Sequence, residues 1–189
     1  MARWEPNASR RLMAAALDLF EEHGYDNTTV TGIAERAGLA KSTFFRHYAD
    51  KREVLFDDDT LAALLVEGIG AAPEGATALD ALAHAFDRTG RAVFTNDRRE
   101  FSARRIAVIA AAPELQERDA LKERGLIAAM VDALERRGVP DLTARVAAEL
   151  GALAFRVAYE RWGDPAARDD FDQVLRRALV DVRDAGALC

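Results

Sequence analysis

Apolar positions recur along this chain at three- and four-residue intervals almost from end to end, which is the helical signature. Leu12, Ala16, Leu19 and Phe20 fall at i, i+4, i+7 and i+8 and predict a first helix from about Ser9 to His23. Gly24 suits a left-handed cap after it. The polar link Tyr25-Asp26-Asn27-Thr28-Thr29 precedes a short stripe of Val30, Ile33, Ala34 and Ala37, closed by Gly38. A third short helix holds Lys41 to Tyr48, with Phe44 and Tyr48 one turn apart. Asp50 and Glu53 have the spacing of an N-cap and its reciprocal partner, opening a longer fourth helix through Val54, Leu55, Leu61, Leu64, Leu65 and Ile69. Gly68 to Gly75, with Pro73, is the best candidate for a break. A fifth helix is marked by Leu79, Leu82, Phe86 and Phe94, and a sixth by Phe101, Val108 and Ile109. Pro113 fits the first turn of a seventh, which ends near Gly138. Val139-Pro140-Asp141 opens an eighth and Asp164-Pro165 a ninth.

No stretch alternates apolar and polar residues for long, so strands are not expected and the fold class is all-α. The eighth helix is apolar on two sides. Val146, Leu150, Leu153, Ala154 and Val157 line one, and Ala148, Gly151, Phe155, Ala158, Tyr159 and Trp162 the other. Two apolar sides imply burial on both. The ninth carries Phe171, Val174, Leu175, Ala178, Leu179 and Val182 on one face. Small residues such as Ala148 and Gly151 permit close helix approach. The two helices are therefore read as a core that also forms a subunit interface, through Ala148, Gly151, Phe155, Phe171, Leu175, Ala178, Leu179 and Val182. An ordinary internal pair in a large bundle is the plainer alternative.

Length and charge narrow the classes. The 189 residues allow one domain or two small ones. No apolar run reaches the roughly 20 residues of a membrane span. The segment Met1 to Arg11 has no apolar core of a signal peptide, and the lone cysteine, Cys189, excludes an internal disulfide framework, so a cytoplasmic location is expected. The net charge of −6 argues against an indiscriminate nucleic-acid coat. Eight Lys/Arg meet seven acids in residues 1–52, which leaves that segment slightly positive and the remainder acidic. Phosphate-loop, dinucleotide, zinc-protease and nucleophile-elbow motifs are missing, so neither catalysis nor a cofactor or metal is expected.

Thr29 to Tyr48 is two short helices joined by a tight turn with glycine, the helix-turn-helix arrangement. Ala34 sits where the helices cross, and Gly38 where the turn needs a left-handed backbone. Leu39 and Phe44 plug the inner face. Lys41, Ser42, Thr43, Phe45, Arg46 and His47 are left outward, a mix of cations, hydroxyls and an aromatic that can enter a major groove. Lys41, Ser42 and Arg46 are candidates for base or adjacent phosphate contact. A helical hairpin with no DNA role has the same local pattern.

Residues 9–55 resemble the DNA-binding domain of the TetR (tetracycline-repressor-like) bacterial transcriptional regulators. The likeness rests on Ala16, Leu19-Phe20, Gly24-Tyr25, Thr29-Val30, Ile33-Ala34, Ala37-Gly38-Leu39, Lys41, Thr43, Tyr48, Lys51 and Leu55. It implies a helix-turn-helix domain over 1–52 and a helical-bundle domain for ligand binding and dimerisation over 53–189. It implies a homodimer on a double-stranded, near-palindromic DNA operator, released by a small-molecule effector that moves the fourth helix. By position it carries phosphate contact to Thr29 and Thr31 at the start of the second helix, DNA contact to Thr43 and His47, and phosphate contact to Lys51. Phe45 departs from the family's usual tyrosine, and Ala40 from its usual capping residue. Alanine there forgoes a cap worth about 1 kcal/mol.

The resemblance also implies an effector cavity among helices five to eight. Phe86, Phe94, Phe101, Met130, Phe155, Tyr159 and Trp162 line it or fill the core. Arg104 and Arg105 interrupt an apolar helix, and an inward arginine needs an acidic partner or an anionic ligand. Phe101 through Pro113-Glu114-Leu115 is similar to regulators of this kind that respond to fatty-acyl thioesters. The expected effector is apolar, with an anionic or acyl-type form. Two rivals stay open: a helical ligand-binding protein or enzyme whose helix-turn-helix is only structural, and a regulator gated by a protein partner.

Overall fold

The computed structural model describes residues 8–56, 59–164 and 166–186. Pro165, Cys189 and the residues before Ala8, each of which entered an expectation above, lie outside them. Among the described residues there are nine α-helices and no strand. They are α1 (Ala8–His23), α2 (Val30–Arg36), α3 (Lys41–His47), α4 (Asp59–Gly70), α5 (Ala78–Val93), α6 (Arg99–Ala111), α7 (Pro113–Arg136), α8 (Asp141–Gly163) and α9 (Phe171–Gly186). Short 3-10 turns lie at Glu53–Leu55 and Asn96–Arg98. None of the described helices is long and apolar enough to cross a membrane.

The chain forms two compact units. One comprises Met1–Asp57 with Arg104–Ala120, the other Asp58–Ala103 with Leu121–Cys189. The first unit thus runs past the expected boundary at residue 52 and also takes in parts of α6 and α7. Its core is set by α1, which turns Leu12, Ala16, Leu19 and Phe20 inward onto Ile33, Ala34 and Phe44.

The expected long fourth helix is two elements. Asp50 does cap, accepting from the backbone N–H of Arg52 (2.8 Å) and Glu53 (3.3 Å). The turn then stops at Leu55, and α4 starts only at Asp59. Val54, Leu55 and Phe56 are all buried. Three consecutive inward side chains span about 200° of a helix, more than one apolar face supplies, and Phe56 leaves the helical region (φ −125°, ψ 36°). Glu53 does not close the reciprocal cap but pairs with Arg118 (2.5 Å).

In the second unit α4 and α5 form a hairpin. A Cβ on Gly68 would stand 2.6 Å from the Ala85 Cα, so this glycine lets two backbones touch. Gly68 to Gly75 is therefore a crossing and a turn, not a break between units. Arg137 closes the end of α4 by donating to the carbonyls of Ala72 (2.9 Å) and Pro73 (2.8 Å). Thr77 and Asp80 form the capping box that starts α5. The ninth helix begins at Phe171, not at Asp164-Pro165. The Asp164 carboxylate accepts from the Ala166 N–H (2.8 Å) and caps only a local turn.

α8 uses its two sides differently. Ala148 and Gly151, with Phe171, Leu175 and Ala178 of α9, are buried within the single chain. A Cβ on Gly151 would meet Leu82 at 3.1 Å and Phe86 at 3.4 Å, both on α5. Phe155, Leu179 and Val182 are half-buried against the same core. The core half of the expectation is met at these eight positions: each is buried or half-buried within the single chain. The opposite side of α8 stays open, with Leu142 72%, Val146 51% and Leu153 37% exposed, as does Val180 of α9 at 46%.

Candidate nucleic-acid interface

α2 starts where Thr29 caps it, its hydroxyl oxygen accepting from the Gly32 N–H at 3.0 Å. It ends in a Schellman motif: the Gly38 N–H donates to the Glu35 carbonyl (2.9 Å) and the Leu39 N–H to that of Ala34 (2.8 Å). Gly38 takes φ +64°, as the sequence required. Arg11 of α1 braces the turn from outside, donating to the Ala37 carbonyl at 2.5 Å. No periodicity announces that contact, since Arg11 reads as a solvated position of α1.

α3 starts at Lys41 without a side-chain cap at Ala40, as alanine dictates. Phe44 is fully buried, with Tyr48 beside it (ring centroids 5.6 Å apart). The first turn of α1 meets this end of α3 through Ser9, whose hydroxyl lies 2.6 Å from that of Tyr48. The outward row is as expected: Lys41, Ser42, Arg46 and His47 are exposed and Thr43 is half-buried. Phe45, 51% exposed, presents its ring to solvent between them. Arg46 donates to the Thr43 hydroxyl (2.9 Å), which holds the guanidinium along the helix surface. Thr29 and Thr31 are exposed at the start of α2. Arg36 is committed elsewhere, in a two-pronged pair with Glu22 (2.8 and 2.7 Å).

Lys51 is more tied down than a simple phosphate contact would be. Its ammonium donates to the carbonyls of Tyr25 (2.7 Å) and Thr28 (3.1 Å) and lies 4.0 Å from the Tyr25 ring centroid. Burial, with Glu114 and Asp50 nearby, pushes the Tyr25 hydroxyl up to about 12. The Arg52 guanidinium bonded to Asp50 holds that carboxyl below its usual range.

The candidate effector residues do not gather as one group. Phe86, Phe94, Phe155, Tyr159 and Trp162 touch ring to ring in the second unit. Met130 is fully buried in the same core and Phe101 is half-buried. Arg104 and Arg105 belong to the first unit and already have protein partners. Arg104 pairs with Asp18 (2.6 Å) and Glu21 (2.5 Å) of α1, which raises its pKa further. Arg105 donates to the Leu55 carbonyl (2.8 Å), pairs with Asp119 (3.5 Å) and lies 5.0 Å from the Phe56 ring. The acidic-partner branch therefore holds, and these two arginines give no reason for an anionic effector.

A glycine-closed helix pair with an exposed, cation-bearing second helix has the geometry of a helix-turn-helix module. Residues 12–57 match the family model described as bacterial regulatory proteins, tetR family. The amino-terminal stretch is thus similar to the DNA-binding domain of the TetR-family transcriptional regulators. The HTH-type transcriptional regulator TcmR of Streptomyces glaucescens is 42% identical over 82 residues, covering 40% of this chain and 34% of TcmR. The uncharacterized HTH-type regulator YdeS of Bacillus subtilis is 40% identical over 48 residues, covering 25% of this chain and 24% of YdeS. The matched stretch thus spans about a third or less of these relatives' length. Among solved structures, Thermus thermophilus FadR in complex with lauroyl-CoA aligns with a TM-score of 0.57 at 23% identity, over 93% of each chain. The SmeT–triclosan complex aligns with a TM-score of 0.60 at 19% identity, over 95% of this chain and 91% of SmeT. SmeT is the repressor of a Stenotrophomonas maltophilia multidrug efflux pump. At these identities the likeness shows the fold.

Proposed function

We propose that the chain is a dimeric repressor that binds a near-palindromic operator through two copies of α3 and is released by a small apolar effector. The carrying observation is the exposed row Lys41, Ser42, Phe45, Arg46 and His47 on a helix whose inner face is anchored by fully buried Phe44. Lys41 and Arg46 suit guanine acceptors or flanking phosphates, and Phe45 suits a thymine methyl or a sugar. Thr29, Thr31, Thr43, His47 and the remaining N–H of Lys51 supply phosphate contacts. Two half-sites one helical turn apart need two heads of fixed spacing. The open face of Leu142, Val146, Leu153 and Val180 supplies the surface for a second copy. FadR with lauroyl-CoA and SmeT with triclosan, two ligands with large apolar parts, support an apolar effector.

The test is a gel shift on DNA flanking the chain's own gene, repeated across a salt series. The expected result is a complex whose affinity falls steeply with salt and is lost in Lys41→Ala/Arg46→Ala. Native-like binding by that double variant, or no complex at low salt, would mean that the helix-turn-helix is only a structural hairpin.

A further inference from the structure

Three side-chain polar atoms in the second unit are buried without a partner among the described residues: His84 Nε2, on a half-buried side chain, and one each on the buried Thr89 and Trp162. Trp162 is fully buried and its indole N–H has no acceptor. Thr89 is 1% exposed and its hydroxyl is likewise unmatched. Each such group carries the full desolvation penalty of a hydrogen bond left unmade. Trp162 sits in a nest of rings with Phe94, Tyr159 and Phe171. Thr89 precedes Gly90, where a Cβ would stand 3.3 Å from the Phe171 ring.

Phe94 differs from the other rings of the nest. It follows the last residue of α5, outside the helical region (φ −104°, ψ 65°), and is only half-buried. Yet it is the hub, stacked on Phe171 at 4.3 Å and edge-on to Phe155 (5.5 Å), Tyr159 (5.7 Å) and Trp162 (6.1 Å). A terminal residue can leave by a few backbone rotations, whereas a residue within a helix cannot.

We propose that Phe94 is a resident plug for an aromatic effector site. The ligand class is a flat, uncharged aromatic molecule bearing a carbonyl or ether oxygen. Its ring takes the place of the Phe94 ring, and its oxygen accepts from the Trp162 N–H or the Thr89 hydroxyl. A long acyl chain would fill the same volume but offers these rings no stacking partner. This assignment rests on the ligand-responsive reading above and narrows it to one chemical class.

The test uses coumarin, a bicyclic aromatic with a carbonyl, against naphthalene, which matches its size and has no acceptor. Affinities are measured by calorimetry and by Trp162 fluorescence in a Trp4→Phe background. One satisfied hydrogen bond is worth about tenfold in affinity. Coumarin is expected to bind the native chain about tenfold tighter than naphthalene. Both should bind Phe94→Ala and Phe94→Leu more tightly still. Trp162→Phe keeps a ring, loses the N–H and should erase the coumarin preference. Thr89→Val, close in shape, should leave the ligand-free chain no less resistant to urea, since it removes no made bond, whereas Trp162→Phe also opens a small cavity and is read only by the loss of coumarin preference. Binding confined to the Phe94 variants, with none to the native chain at millimolar coumarin, would overturn the proposal, as would an unchanged preference in Trp162→Phe. Coumarin binding with unaltered operator affinity would support the site and sink the regulatory reading. Operator release by lauroyl-CoA without any change in Trp162 fluorescence would do the reverse.

Discussion

Lys51→Ala removes a clamp and a charge at once, and the two losses read out separately. The ammonium makes two charge-assisted hydrogen bonds, to the Tyr25 and Thr28 carbonyls, and covers the Tyr25 ring. Such bonds contribute roughly 1.5–3 kcal/mol each. Both are only part-buried, so water recovers some of that and the lower end applies. The ring contact adds about 0.5–1 kcal/mol. Freeing the lysine side chain returns about 1.5–2 kcal/mol of rotamer entropy. The net cost is about 2 kcal/mol. For a unit of this size that is a fall of about 8–16 °C in melting temperature, readable by circular dichroism. If the third N–H neutralises one phosphate, the slope of log affinity against log salt should fall by about one unit. Lys51→Met keeps the stem and should lose the same slope with a smaller melting shift. A melting temperature unchanged in Lys51→Ala would refute the clamp. An unchanged slope would refute the phosphate contact and leave Lys51 as a positioning residue.

Gly38→Ala must hold φ +64° and place a Cβ 2.9 Å from the Arg11 guanidinium. It is expected to cost about 1–2 kcal/mol in urea unfolding, and a cost below 0.5 kcal/mol on the same order-of-magnitude scale would refute the strain argument. Leu142→Glu/Val146→Glu should sediment as a folded monomer with little operator binding, whereas Leu175→Glu puts a charge in the core and should unfold the second unit, at about 4 kcal/mol or more. A double variant that stays dimeric would move the interface elsewhere. Because the Tyr25 hydroxyl is raised to about 12 in the fold, from an ordinary value of 10.0, the folded chain holds its proton more tightly than the unfolded chain. Its contribution is fully present below pH 10 and is lost as pH rises toward 12, on the order of 2–3 kcal/mol. Tyr25→Phe should flatten that part of the stability–pH curve, and an identical curve would show the hydroxyl to be solvated.

The helix-turn-helix was legible because every determinant of it is local. Ala34, Gly38, Leu39 and Phe44 lie within eleven positions, and each answers a constraint set by its immediate neighbours: close crossing, left-handed turn, inner plug. The roles of Arg104 and Arg11 were not legible, because their partners come from far along the chain. Arg104 meets Glu21 across 83 positions and Arg11 meets Ala37 across 26. Periodicity says which face a side chain occupies, not what faces it. Phe56 shows the limit from the other side. Its neighbours continue a helical pattern, and only the simultaneous burial of Val54, Leu55 and Phe56 forces the chain out of it.

The two sides of α8 show the same limit. A stripe of small residues says that some backbone comes close, and it fits a helix of the same chain as well as one from another copy. A helix of the same chain has the advantage that it arrives without the translational and rotational cost of association. α5 takes Gly151, where a Cβ would meet Leu82 and Phe86. What remains for a second copy is the side with larger aliphatic residues, Leu142, Val146 and Leu153, whose projecting side chains can make a hydrophobic interface without close backbone approach. On α8, apolar on two sides, the small-residue side packs within the chain at Gly151, and the aliphatic side is the one to test for a partner.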